Sequence, residues 1–335
     1  MLKEIAKQLM ASGKGIIAMD ESHSTCHKRF AKYNIPQTEE ARRAYRELII
    51  TTPHLGDSIS GAILFDETIR QKTKEGVPFV DILHRQGIIP GIKVDKGVKD
   101  LPGFVGEKVT EGLDGLSERL KDYFQLGARF AKWRAVIAIG EGFPTQGCIE
   151  ANAELLALYA ALCQKEGIVP IVEPEVLMEG KHTLQQCAEV TERVLRTLFR
   201  ALYRLRVDLE GTLLKPNMVL PGLDCPTQEG VDEVADATIV CLLKAAPAFL
   251  AGIAFLSGGQ PSGVATARLN AMNARFKGRL PWPVTFSFSR ALQYPALEIW
   301  SGQEANRSQA QKALEHRAQC NSAARQGTYL PEMEK

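Results

Sequence analysis

Leu209–Glu210–Gly211–Thr212–Leu213–Leu214–Lys215–Pro216–Asn217 reads as a buried strand that closes on a lysine. Pro216 stops it, because proline has no N–H to give to a sheet ladder. An ammonium group at that place is poorly solvated. Burial disfavours the charged form, so Lys215 is expected to fall below its free pKa of about 10.4. A neutral amine at pH 7 is a nucleophile that can form an imine with a carbonyl. The same design, an apolar run ending in a polar or charged residue, recurs along the chain, and that recurrence decides the fold.

Seven further runs carry it: Gly15–Asp20, Gly61–Phe65, Ile88–Val94, Phe130–Ile139, Ile168–Val176, Gly252–Leu256 and Val284–Phe288. Helix-patterned stretches lie between them. Glu39–Ile50 opens with acidic residues, which suit the positive end of a helix. Asp114 is expected to cap a helix that runs to Leu126. Ala151–Glu166, Leu184–Leu205, Val231–Ala246 and Ala265–Phe276 continue the alternation, and a helix over about Gln303–Gln319 follows the last run. Eight strand–helix units without a linker predict an α/β fold, a single (β/α)8 TIM barrel. Residues 1–335 then form one barrel domain with an N-terminal helix and a short C-terminal tail. The alternative is a doubly wound open sheet, which often carries a glycine fingerprint after its first strand. Here that turn reads Asp20–Glu21–Ser22–His23–Ser24–Thr25 and has no glycine.

Barrel enzymes place their chemistry at the carboxyl ends of the strands. Residues two apart on a strand share a face. Asp20 closes the first run. Lys93 and Asp95 share a face in the third, Lys132 and Arg134 in the fourth, Glu173 and Glu175 in the fifth. Ser257–Gly258–Gly259–Gln260 follows the seventh, and Ser287, Ser289 and Arg290 end the eighth. Ion pairs in a polar barrel layer would explain part of this set, since buried charges must be paired. Yet buried ion pairs are a weak source of stability, and a layer built for stability alone would use Val, Ile and Leu.

The mixture points to an anionic substrate. Arginine offers phosphate a fork and lysine a point charge. Ser257–Gly258–Gly259 offers a hydroxyl and open backbone N–H groups, suited to a phosphate after the seventh strand. Ser22 and Thr25 could hold a second phosphate, with Lys93 and Arg290 nearby; their plainer reading is a helix cap. Asp20 and Glu173 remain for proton transfer, which imine formation and carbon–carbon cleavage both need. Lys132 is the neighbour expected to lower the pKa of Lys215 by like-charge repulsion.

Bulk composition narrows the field. The chain has 335 residues, 45% of them hydrophobic, and a formal net charge of +2, which predicts no gross attraction to nucleic acid or membrane. Seven scattered cysteines predict reduced thiols in a cytoplasmic-type compartment. The start of the chain lacks the apolar core of a signal peptide, and no apolar stretch is long enough to span a bilayer. The residues from Tyr329 to Lys335 are mostly polar and are expected to be loosely held. His23 and His27 have the spacing of metal ligands on a helix face, but no third ligand is near, so they read as a polar loop entering a helix. No metal and no cofactor is expected.

Together these segments resemble class I fructose-bisphosphate aldolase. The matching pieces are 13–22, 91–97, 112–119, Phe130–Arg134, 169–175, Leu209–Asn217, 255–260 and 285–287, and the similarity runs from about Leu9 to Tyr329. The resemblance implies a homotetrameric barrel enzyme of glycolysis, gluconeogenesis or carbon fixation. It implies metal-independent, reversible cleavage of fructose 1,6-bisphosphate to dihydroxyacetone phosphate and glyceraldehyde 3-phosphate. On that pattern Lys215 forms the Schiff base and Glu173 moves protons during imine formation and at the carbon nucleophile. Asp20 handles the hydroxyl proton at the bond that breaks, and Lys132 assists by charge. Ser257, Gly258, Gly259, Ser287 and Arg290 would hold the ketone-side phosphate. Ser22, Thr25, Lys93, Arg29 and Arg134 would hold the other.

Three departures from the animal members stand out. Their longer C-terminal tail ends in a tyrosine that assists proton transfer, whereas here Tyr329 is followed soon by Lys335. The phosphate loop has His23–Ser24–Thr25 in place of a Thr–Gly–Ser pattern, and the bulkier His23 is expected to alter preference among sugar phosphates. Pro53–His54–Leu55–Gly56 contains no arginine where those members place one. Two rival functions remain at this point: a lyase that prefers sedoheptulose 1,7-bisphosphate or fructose 1-phosphate, and a silent scaffold that binds anions or proteins. The intact set Asp20, Lys132, Glu173 and Lys215 argues against the scaffold.

Overall fold

A computed structural model describes all residues 1–335. Its strands are β1 (Gly15–Met19), β2 (Ile59–Leu64), β3 (Ile89–Lys93), β4 (Val98–Asp100), β5 (Lys108–Thr110), β6 (Phe130–Ile137), β7 (Val169–Val176), β8 (Leu213–Leu214), β9 (Gly252–Phe255) and β10 (Val284–Phe288). Its helices are α1 (Leu2–Leu9), α2 (His23–Ala31), α3 (Glu39–Ile50), α4 (Leu55–Ser58), α5 (Asp66–Arg70), α6 (Phe79–Arg85), α7 (Leu116–Gln125), α8 (Gln146–Lys165), α9 (Leu184–Arg204), α10 (Val231–Ala245), α11 (Ser262–Arg275), α12 (Arg290–Trp300) and α13 (Arg307–Gln326). Eight parallel strands close in the order β1-β10-β9-β8-β7-β6-β3-β2, and the helices wrap the outside. This is the (β/α)8 barrel expected from the alternation. The remaining pair, β4 and β5, forms an antiparallel hairpin before α7, which the alternation did not announce.

Packing seals the amino end of the cylinder. Ile5, Ala6, Leu9 and Met10 of α1 and its cap join Ile16, Ile63, Phe130, Ile171 and Leu213 in one apolar cluster. Two glycines make room for the plug. A Cβ at Gly61 would lie 2.6 Å from Leu9, and one at Gly252 would lie 2.5 Å from Met10. Large side chains from an added helix therefore replace the layer that Val or Ile would otherwise fill.

Four local expectations need correction. Leu209–Gly211 is not strand but one 3-10 turn, capped by Asp208 accepting from the Glu210 N–H at 3.1 Å. The strand itself is only Leu213–Leu214; Lys215 N–H still donates to Val172 O at 2.8 Å, so the ladder reaches the lysine. Asp114 does not cap α7; Gly115 does, with φ +63°, a left-handed geometry that glycine adopts without strain. A helix, α12, precedes the last one and holds Pro295 within it, a residue that reads as a breaker. The tail is tied down: Glu334 ion-pairs with Arg317 and accepts from the Tyr329 hydroxyl at 2.9 Å, and Tyr329 is buried against α11 and α13.

Candidate active site

Parallel strands deliver their carboxyl ends to one rim, and the register sets who meets whom. Lys93 on β3 pairs with Lys132 on β6, and Arg134 pairs with Glu173 on β7. The residues that follow β1, β8 and β9 add Asp20, Lys215 and Ser257, and β10 adds Ser287. One cavity of about 1150 Å³ opens there. Its wall includes Asp20, Ser22, Thr25, Arg29, Lys93, Lys132, Arg134, Glu173, Lys215, Ser257, Gly258, Ser287 and Arg290. Of the residues expected at the site, only Gly259 lies behind the wall rather than in it.

At the centre Glu173 is wedged between two lysines. Its Oε1 lies 3.0 Å from Lys215 Nζ and its Oε2 lies 3.0 Å from Lys132 Nζ. Lys132 Nζ also lies 2.9 Å from Asp20 Oδ2. All four residues are buried. Glu173 stands between Lys132 and Lys215, so each Nζ has a carboxylate oxygen beside it. Burial pushes the Glu173 carboxyl up, but Lys132, Lys215 and Arg134 outweigh it and bring it down to about 2. Burial pulls Lys132 down, but Asp20 and Glu173 raise it well above the ordinary lysine range. Lys132 is therefore held positive, and Glu173 is held ionised beside Lys215.

The groups expected to bind anions divide into tethered and free. Lys93 pairs with Asp95 at 2.7 Å, and Arg134 with Glu175 at 2.5 Å. Arg29 ion-pairs with Glu21 and donates to Ser289 Oγ at 3.2 Å. Ser22 caps α2, accepting from the Thr25 N–H at 3.4 Å, so its plainer reading holds as well. Arg290 is exposed at the rim and lies close over Gly259, where a Cβ would sit 3.0 Å from both Nη atoms. Gly258 and Gly259 have φ of +59° and +93°, which a glycine pair alone meets without strain. Ser287 Oγ is buried with no protein partner, aimed into the cavity it lines.

One supporting network escaped the sequence reading. Glu21 is buried between Arg46 and Arg29 and accepts from Ser289 Oγ at 2.8 Å and Gln293 Nε2 at 3.0 Å. Burial pushes its carboxyl up, but Arg46 and Arg29 hold it well below the usual carboxylate range. The available signal was Arg46, a charge inside the apolar stripe of α3 beside Tyr45, Ile49 and Ile50. His23 also differs from expectation. Its ring leaves the cavity and contacts Glu67, with Nε2 3.1 Å from Oε2, while His27 Nε2 lies 2.9 Å from Arg42. No group of three His, Cys, Asp or Glu side chains is placed to hold a metal ion. Tyr329 is held at Glu334 and is absent from the cavity wall.

A closed parallel barrel that gathers a buried lysine, two carboxylates and anion-binding groups on one rim is built like a Schiff-base enzyme for phosphorylated substrates. The sequence model of fructose-bisphosphate aldolase class-I matches residues 1–335. The chain belongs to that family. A probable fructose-bisphosphate aldolase class 1 from Xanthomonas campestris pv. campestris is 58% identical over 98% of each chain. A fructose-bisphosphate aldolase from Dictyostelium discoideum is 51% identical, covering 98% of this chain and 92% of its own. A solved structure of fructose-bisphosphate aldolase from Plasmodium falciparum, in complex with TRAP and a small-molecule inhibitor, superposes with a TM-score of 0.96. It is 47% identical and covers 98% of this chain and 95% of its own.

Proposed function

We propose that this chain cleaves fructose 1,6-bisphosphate reversibly to dihydroxyacetone phosphate and glyceraldehyde 3-phosphate through an imine on Lys215. The observation that carries this reading is Glu173 held 3.0 Å from both Lys215 and Lys132, with Asp20 on the far side of Lys132. Glu173 takes a proton from the Lys215 ammonium, and the freed amine attacks the ketone carbon. Loss of that positive charge removes one of the groups holding Glu173 down, so its proton affinity rises as the proton arrives. Glu173 then passes the proton to the carbinolamine hydroxyl, which leaves as water. Asp20 removes the proton from the substrate hydroxyl, the carbon–carbon bond breaks, and its electron pair moves into the iminium. Glyceraldehyde 3-phosphate departs; Asp20 returns its proton to solvent in the open cavity, Glu173 takes one up from that solvent and delivers it to the enamine carbon, and water adds to the iminium to release dihydroxyacetone phosphate and return Lys215 as the ammonium. Lys132 keeps its charge throughout and steadies the carboxylates on both sides.

Ser257, Gly258, Gly259, Ser287 and Arg290 take the ketone-side phosphate; Ser22, Thr25, Arg29, Lys93 and Arg134 take the other. The orphaned Ser287 hydroxyl and the open Gly258–Gly259 backbone support the first placement. Residues 1–335 act as one domain, and the protein works in the cytoplasm as a homotetramer. Seven buried, unpaired cysteines support the compartment. Exposed apolar side chains on outer helices, Tyr203, Val240 and Leu243, support assembly. Sedimentation at micromolar concentration is expected to give four copies of the 36.8 kDa chain, and a monomer would remove the assembly.

Borohydride reduction with dihydroxyacetone phosphate is expected to trap a covalent adduct that peptide mass spectrometry places on Lys215, and EDTA is expected to leave turnover unchanged. An adduct on another lysine, or activity lost to EDTA and restored by zinc, overturns the mechanism.

A further inference from the structure

The central cavity has a wall whose anchor lies outside it. Ser22, Ser24 and Thr25 at the start of α2 line the cavity, and the residue among them, His23, does not. Its ring turns to the start of α5, where Nε2 meets Glu67 Oε2 at 3.1 Å and the ring stands edge-on to the cap residue Phe65 at 5.3 Å. The contact is an approach of a half-exposed imidazole nitrogen to a carboxylate oxygen. Glu67 is fixed in turn by Arg42 of α3, through bonds of 2.8 Å and 2.5 Å. The third nitrogen of Arg42 reaches His27 Nε2 at 2.9 Å, one turn further along α2. A guanidinium only donates, so His27 accepts there and holds its own proton on Nδ1. The first turn of α2 is thus stapled at two points, four residues apart, to one Arg42–Glu67 pair. Phe65, beneath the His23 ring, is itself part of the cavity wall.

Ser22 Oγ lies 3.1 Å from both Ser24 Oγ and Thr25 Oγ1, so the hydroxyls form one cluster whose direction depends on how α2 begins. From this geometry we infer that His23 is a positioning residue for the phosphate remote from the reacting ketone. It acts through Glu67, and it sets the enzyme's preference for bisphosphates over monophosphates. The inference rests on the placement of that phosphate at Ser22 and Thr25. Losing the contact between the half-exposed His23 ring and Glu67 loosens the turn without touching Lys215 or Glu173.

Steady-state kinetics on fructose 1,6-bisphosphate and fructose 1-phosphate separate the alternatives. His23→Ala is expected to raise KM for the bisphosphate about five- to tenfold, up to roughly 1.4 kcal/mol. Its kcat is expected to stay within about twofold, and both constants for the monophosphate are expected to hold. His23→Gln, which can present an amide N–H to the Glu67 carboxylate, is expected to restore most of the loss. Equal losses on both substrates, or no rescue by glutamine, overturn the inference and leave His23 a structural residue. Thr25→Val tests the underlying placement: if it lowers affinity for both sugars alike, the remote phosphate does not sit there. If Thr25→Val discriminates and His23→Ala does not, the placement stands and the role of His23 falls. Should His23→Ala fail to fold, Glu67→Gln carries the same kinetic comparison.

Discussion

A single carboxylate, Glu173, decides how this site behaves. It neutralises two buried lysines, so removing its charge should be felt twice, in turnover and in acid stability. Glu173→Gln is expected to lower kcat by about 10²- to 10⁴-fold, the usual range for a positioned proton carrier. Its folded-state carboxyl lies near 2, against an ordinary value of 4.5. A depressed acid stabilises the fold above its unfolded value and loses that contribution as pH falls through the folded one. The stability gap between wild type and Glu173→Gln should therefore be full above pH 4.5 and close toward pH 2; a gap independent of pH would refute the assignment. Lys215→Met leaves Glu173 paired with Lys132, so turnover is expected to vanish while the circular dichroism spectrum survives. An unfolded variant would give Lys215 a structural duty instead. These residues were legible because strand alternation puts Lys132 beside Arg134 and Glu173 beside Glu175 on one face. Their partners were not legible. That Glu173 separates the lysines, or that Arg29 is spent on Glu21, depends on register between distant segments.

Among the elements, long apolar runs announced themselves and short punctuated ones did not. Glu39–Ile50 was readable to the residue because acidic residues open it, and Thr38 caps it, accepting from the Ala41 N–H at 3.2 Å. Leu209–Gly211 was misread because composition cannot separate a buried 3-10 turn from a strand. Gln164, whose side-chain amide reaches Asp208 O at 2.7 Å, helps pin that turn in place from a distant helix. Pro295 hid α12 for a similar reason: helix interiors exclude proline on average, and tertiary packing overrode the average here. Two glycine substitutions test the elements. Gly91→Ala on β3 would overlap the ring of Phe130 and is expected to cost about 1–3 kcal/mol in thermal unfolding. Gly259→Ala combines a φ of +93° with crowding of Arg290. It is expected to raise KM for fructose 1,6-bisphosphate about tenfold, equivalent to roughly 1.4 kcal/mol. An unchanged KM would detach Arg290 from substrate.

Across the whole molecule the barrel was readable and the closing strap was not. Tyr329–Lys335 is mostly polar, and polarity alone predicted a loose end. The buried guanidinium of Arg317 supplies what polarity concealed, a partner for Glu334 and a bond to Thr266 Oγ1 at 2.6 Å. Glu334→Ala leaves Arg317 short of a counter-charge. Because a third of the Glu334 side chain faces solvent, the cost is expected to be about 1–2 kcal/mol, below that of a fully buried pair, and visible as a lower melting temperature with kcat intact. A melting temperature equal to wild type would show the strap to be ornamental. The apolar plug of α1 has a broader consequence. Charged trioses cannot pass a dry hydrocarbon floor, so the cylinder has one doorway. The aldehyde half must back out past the mouth before the half bonded to the lysine can follow. Traffic is ordered by architecture, and either departing molecule, if abundant outside, can obstruct the next sugar on its way in.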